Sequence, residues 1–164
     1  RPRRHLIAFD GHPGNYVVQS AGSAVLVDLE KCRYSYPGLD LAHATLYTST
    51  TWDADSSAVL ALNEVQAAYA VWRRSVGEPA ADAAAPWHIP LRRAMWLWSI
   101  TWCAKWRAVS SAAASTRADG EDWSAQHSDA ALVAHVRERV DHYLDASTID
   151  RVLAECDALA QMPL

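Results

Sequence analysis

Cysteine is scarce in this chain, and what there is does not pair. Cys32, Cys103 and Cys156 are odd in number, scattered, and without C-x-x-C spacing. Neither a disulfide framework nor a zinc site is expected, and a reducing, cytoplasmic setting is the default. An excess of positive charge is missing as well. Fifteen basic side chains face nineteen acidic ones, for a net charge of -4, so no global basic field points to nucleic acid. Charge interrupts every apolar stretch well short of the roughly 18 residues a membrane span needs. The start shows no signal-peptide pattern. It also lacks an initiator methionine: Arg1-Pro2-Arg3-Arg4 runs at once into a dense motif. A fragment, a processed chain, or a chain preceded by further sequence is therefore expected.

What is present reads as one soluble domain with a core of its own: 164 residues, 51% hydrophobic, 21% charged, with eight tryptophans. The β signal is confined to residues 6–30. Leu6-Ile7-Ala8-Phe9 leads into Asp10, Tyr16-Val17-Val18 follows, and Ala24-Val25-Leu26-Val27 comes after a turn ending near Gly22. The last two read as strands of a hairpin around the loop Gln19–Ser23. From Asp40 onward the pattern is helical. Leu62, Val65, Tyr69, Trp72 and Val76 form one stripe after a cap region at Asp53–Ser56. Residues 77–90 are rich in alanine and proline and read as a connector.

A central helix is then expected through Leu91, Met95, Trp98, Trp102 and Val109, with Trp96, Ile100 and Cys103 on another side. Residues 110–128 read as a loop. Val133, Val136, Val140 and Tyr143 mark a further helix. Ser147 with Asp150 resembles a capping box for the last one, lined by Ile149, Val152, Cys156 and Leu159. The fold class is α+β, mostly helical.

The stretch that carries chemistry is Asp10-Gly11-His12-Pro13-Gly14-Asn15, then Val27-Asp28-Leu29-Glu30, then Pro37-Gly38-Leu39-Asp40-Leu41-Ala42. Asp10 and Asn15 sit five residues apart on a tight Pro-Gly loop between strands. The hairpin returns Asp28 beside that loop, where Asn15 and Asp28 can offer oxygens to one hard cation. Mg2+ takes one or two such protein ligands and completes its shell with phosphate oxygens and water. Phosphoryl transfer asks for this pairing of a carboxylate, to receive a hydroxyl proton, with a metal that neutralises the transferred group.

These three segments together resemble the aminoglycoside phosphotransferase / choline kinase-like family, a branch of the protein-kinase-like fold. His12-Pro13-Gly14-Asn15 is similar to its H-P-G-N loop. Val27-Asp28-Leu29-Glu30 is similar to its hydrophobic-D-[WFL]-E. Pro37 to Ala42 is similar to its P-x-x-D-L-A. The resemblance implies a kinase-like C-lobe with a small β hairpin carrying the catalytic loop. Residues 1–45 would hold the catalytic and metal-binding loops, and 46–164 a helical substrate subdomain. It implies Asp10 as catalytic base, Asn15 and Asp28 as ligands of Mg2+ and of ATP through it, Glu30 as a further metal or outer-shell group, and Asp40 as a brace for the loop. The implied reaction transfers a phosphoryl group from ATP to a hydroxyl of a small molecule, aminoglycoside-like, sugar or amino-alcohol. Two features depart from the family pattern. Ala8 and Phe9 stand where it has His and Gly, and no Gly-rich loop, strand Lys or partnering Glu of an N-lobe is found in the 164 residues.

Plainer readings stand beside these. Glu30 is balanced between a metal ligand and a surface residue, and Asp40 is expected as a helix cap or loop brace rather than a ligand. A loop or packing role is expected for His12 and a core position for the Trp98, Trp102, Trp106 stripe. Trp87 and Trp123 are the aromatic candidates for ligand contact, and Glu121-Asp122 is weighed as a cation-binding pair against a solvated loop. Arg1, Arg3 and Arg4 read as solvated. The alternative of another class is a non-catalytic relic that binds a nucleotide or a partner.

Overall fold

The computed structural model describes residues 2–53, 55–111 and 130–164. Trp123, Glu121, Asp122, Arg1 and nearly all of the expected 110–128 loop lie outside the described residues. The fold is α+β and mostly helical. Four three-residue strands come first: β1 (His5–Ile7), β2 (Tyr16–Val18), β3 (Ala24–Leu26) and β4 (Arg33–Ser35). They form two antiparallel pairs. β2 and β3 make the expected hairpin, with Val17 opposite Val25. Its loop is closed by the Gln19 and Gly22 backbone bonds, with Gly22 at a φ of 83° that favours glycine. The second pair joins β1 to β4, with Leu6 opposite Tyr34. The chain from Asp10 to Asn15 therefore leaves one sheet and enters the other.

Among the described residues seven helices follow: α1 (Pro37–Thr45), α2 (Tyr47–Thr50), α3 (Leu62–Val76), α4 (Glu78–Ala84), α5 (His88–Ser111), α6 (Ala130–Tyr143) and α7 (Ala146–Leu159). None of the described helices is long and apolar enough to cross a membrane. Pro37 opens α1 at a position where a missing N–H costs nothing. Several expected boundaries move. The 77–90 connector is α4 and a 3-10 turn at Ala85–Trp87, because Pro79 falls in the first turn of α4 and alanine is a strong helix former. Asp53 does not cap α3. It accepts from the Asp55 amide and the Ser56 hydroxyl in a separate turn, while Glu64 reaches back to the Ala61 amide. At α7 the cap is Asp145, which accepts from the Ser147 amide and hydroxyl.

The chain divides into two compact units, residues 1–96 with 152–164, and residues 97–151. In the first, Val65 and Tyr69 of α3 and Leu159 of α7 form a core with Leu41, Leu60, Ile89 and Met162 against it. Arg92 is also there, 0% exposed. Its guanidinium donates to the Thr45 hydroxyl at 2.8 Å, to the Thr45 carbonyl at 2.9 Å and to Glu155 Oε1 at 2.5 Å. A charge so far from water persists because Glu155 and the two Thr45 oxygens answer its terminal N–H groups, although its buried Nε–H finds no partner.

In the second unit Cys103 and Trp106 of α5, and Val133, Val136, Val140 and Tyr143 of α6, are buried. The tryptophan stripe is thus only partly core. Trp106 is buried, but Trp98 and Trp102 are half-exposed. The buried line of α5 runs through Met95 and Trp106, as expected, but between them through Ser99 and Cys103, one position on from Trp98 and Trp102.

Candidate functional site

The site is built on the chain between β1 and α1. As β1 ends, the amides of Ala8 and Phe9 donate to the two carboxylate oxygens of Asp40, at 2.8 and 2.7 Å. Asp40 lies in the first turn of α1, so the strand exit is clamped to that helix. The expected brace is what these bonds form. Burial pushes the Asp40 carboxyl up, and the two N–H bonds pull it back down. Phe9 has a φ of 64°, a conformation a bulky residue rarely adopts. Holding it costs on the order of 1–3 kcal/mol. The Asp40 clamp opposes that cost, as does the Arg33 guanidinium 3.9 Å above the Phe9 ring.

Beyond Asp10 the loop turns on His12. Its Nδ1 accepts from the Gly14 amide at 3.1 Å, and its carbonyl accepts from the Asn15 amide at 3.0 Å. A Cβ on Gly14 would stand 3.0 Å from the His12 ring, which is why a glycine suits the position. His12 thus takes the loop role expected of it. Asn15 is buried, and its Nδ2 donates to the Asp10 carbonyl at 2.8 Å. The Asn15 carbonyl accepts from the Val27 amide at 2.8 Å, and Asp28 follows directly. Asp28 has a φ of 57°, the second strained non-glycine residue of the site. Asp10 and Asn15 are therefore tied by a side-chain bond, and the Val27 backbone bond to Asn15 brings in Asp28 as the next residue. Asp28 and Glu30 are both exposed, and Glu30 takes no part in these bonds.

Two residues that the sequence motifs did not single out stand against Asp10. Lys31 Nζ meets Oδ2 at 2.9 Å, with the two side chains 21% and 12% exposed. His43, 5% exposed, places Nδ1 4.0 Å from Oδ1. His43 also hydrogen-bonds the Phe9 backbone, and its ring meets that of His12 edge-on at 6.3 Å. Burial lowers the His43 pKa to about 4, against the pull of Asp10. Burial lowers His12 too, with Asp10, Asp53 and Asp28 opposing and Lys31 reinforcing. Both imidazoles are neutral near pH 7. His43 was legible to a degree, since it lies one helical turn after Asp40; Lys31 carries no motif.

Among the described residues no group of three or more His, Cys, Asp or Glu side chains suits a metal. A site for Mg2+ needs less. With Nδ2 of Asn15 committed to the Asp10 carbonyl, its Oδ1 is left as an acceptor, and Asp28 adds a carboxylate. Two hard oxygen donors fit a cation that brings phosphate and water with it. Next to them, register puts Val17 and Val25 on one face of the hairpin, with Val27 continuing it. They are 53%, 43% and 40% exposed, an apolar face open to a ligand. Trp87, the aromatic candidate that lies among the described residues, is exposed in the Ala85–Trp87 turn. This chain matches no protein-family model, and no curated protein and no solved structure matches it significantly.

Proposed function

We propose that this chain carries the catalytic loop of an ATP- and Mg2+-dependent phosphotransferase whose acceptor is a hydroxyl of a small molecule. The observation that carries the reading is the joining of Asp10, Asn15 and Asp28 through the Asn15 side-chain bond to Asp10 and the Val27 bond to Asn15. A proton acceptor and two oxygen ligands held near one another are what phosphoryl transfer requires. The resemblance of His12 to Asn15, Val27 to Glu30 and Pro37 to Ala42 to the aminoglycoside phosphotransferase / choline kinase-like motifs supports the same reading.

Asp10 acts as the base. Lys31 occupies Oδ2, so Oδ1 takes the hydroxyl proton of the acceptor. Asn15 Oδ1 and the Asp28 carboxylate hold Mg2+, which when bound neutralises charge on the transferred group. The Val17, Val25 and Val27 face offers an apolar seat for the base of the nucleotide. The acceptor class is an aminoglycoside-like compound, a sugar or an amino-alcohol.

The test is calorimetry of MgATP on the intact protein, followed by ADP release across aminoglycosides, choline analogues and simple sugars. MgATP is expected to bind, Asp28→Asn to abolish the Mg2+-dependent part of that binding, and at least one acceptor to raise ADP release. No MgATP binding, or Mg2+ dependence unchanged in Asp28→Asn, overturns the reading.

A further inference from the structure

We propose that Lys31 is the phosphate-facing cation of this site: it anchors Asp10 and donates to the phosphoryl group in transit. The inference rests on the phosphotransferase reading and adds a residue that the motifs do not include. Three observations carry it. The first is the 2.9 Å bond from Nζ to Asp10 Oδ2, which puts an ammonium against the carboxylate that receives the acceptor. A hydroxyl attacking phosphorus from Oδ1 brings the transferred group within reach of the same ammonium.

The second is that the position is built. The Cys32 amide bonds the Leu29 carbonyl in a turn that folds Lys31 back toward Asp10. Arg33 Nε donates to the Lys31 carbonyl at 3.1 Å, while its guanidinium lies over Phe9. The third is access. The Lys31 side chain is 21% exposed, so its head is held without being sealed from a ligand.

The chemistry balances without further reagents. The bond from the acceptor oxygen to phosphorus forms as the bond from phosphorus to the ADP oxygen breaks. The hydroxyl proton passes to Asp10 Oδ1. Lys31 stays protonated throughout and changes no covalent bond; its positive charge offsets the negative charge spread over the phosphoryl oxygens.

The composition allows a direct test, because Lys31 and Lys105 are the only lysines in the chain. In an acyl-phosphate derivative of ATP, a lysine amine near the phosphates attacks the acyl carbon, forms an amide and releases ATP. With Mg2+ present, peptide mapping is expected to find Lys31 acylated and protected by excess ATP. ATP-protected labelling at Lys105 alone, or none at Lys31 in protein that binds MgATP by calorimetry, overturns the inference and leaves the phosphotransferase reading standing. Absence of MgATP binding overturns both.

A second measurement separates phosphate contact from mere support of the loop. Lys31→Met is expected to weaken MgADP with aluminium fluoride, which stands for the phosphoryl in transit, by about 10–100-fold, the range of one charge-assisted hydrogen bond. Affinity for MgADP alone is expected to stay unchanged, and Lys31→Arg to recover most of the loss. Equal losses for both ligands overturn the inference.

Discussion

The imidazole of His43 stands 4.0 Å from the Asp10 carboxylate, although 33 residues of chain separate them. The helix α1 makes this possible. Asp40 clamps the end of β1 onto its first turn, and His43 lies one turn further on, bonded to the Phe9 backbone. An imidazole next to the Asp10–Asn15 loop is thus supplied from α1, in a chain that has Ala8 and Phe9 just before Asp10.

Because burial lowers the His43 pKa from its ordinary 6.5 to about 4, the folded state resists protonating it where the unfolded chain does not. Below pH 6.5 the unfolded state binds the extra proton, so stability is expected to fall with pH down to about 4 and then level off. Each pH unit of that window is worth at most about 1.4 kcal/mol. Urea unfolding at pH 7 and pH 5 checks this. His43→Gln is expected to flatten the difference; an unchanged slope would place the titration elsewhere.

Replacing Asp40 with Ala removes the acceptor of two backbone amides at once. The expected loss is about 2–4 kcal/mol, from two charge-assisted bonds partly recovered by water. Release of the strained Phe9 is expected with it. Hydrogen exchange at the Ala8 and Phe9 amides reads both effects, and protection that survives the substitution would rule out the clamp.

Asp10→Asn preserves shape and the Lys31 contact in weakened form but cannot receive a proton. Under the proposed phosphotransferase reading, kcat of the intact protein is expected to fall by about 10²–10⁴. MgATP affinity should hold, since Asn15 and Asp28 are untouched. Full turnover in Asp10→Asn would show that another group is the base.

Among the tryptophans of α5, Trp106 is expected to matter most for stability, because it is buried where Trp98 is half-exposed. Trp106→Ala should cost about 3–5 kcal/mol and Trp98→Ala clearly less. Thermal melts of the two variants decide it; equal losses would mean that the buried line of α5 is misassigned.

Local signals carried much of this fold. The hairpin loop Gln19–Ser23 is announced by its flanking apolar runs, and the α6 stripe through Val133, Val136, Val140 and Tyr143 is buried as its spacing implies. Asp10, Asn15 and Asp28 were legible because they share one short stretch. What escaped was of two kinds. The strand β4 reads Arg-Tyr-Ser, with no apolar alternation, since neither Arg33 nor Tyr34 is buried. Lys31 and His43 become partners of Asp10 only through the Leu29–Cys32 turn and the Asp40 clamp. The Trp98 and Trp102 error is a phase error. On a helix apolar on several sides, composition does not reveal which line faces inward.

The first compact unit is discontinuous, and this imposes an order on its birth at the ribosome. Residues 1–96 emerge early, carrying Asp10, Asn15, Asp28 and the buried Arg92. Glu155, which answers the Arg92 charge, and Leu159, which closes the core over Val65 and Tyr69, belong to the segment 152–164 and emerge last. At the usual pace of translation that leaves a gap of about 3–14 s. Through that interval a guanidinium destined for the interior has no carboxylate from α7, and the core of the unit that carries the Asp10–Asn15 loop is unfinished. The nascent chain therefore acquires its Asp10–Asn15 loop before the ground it stands on, and premature termination before α7 yields a loop without a foundation.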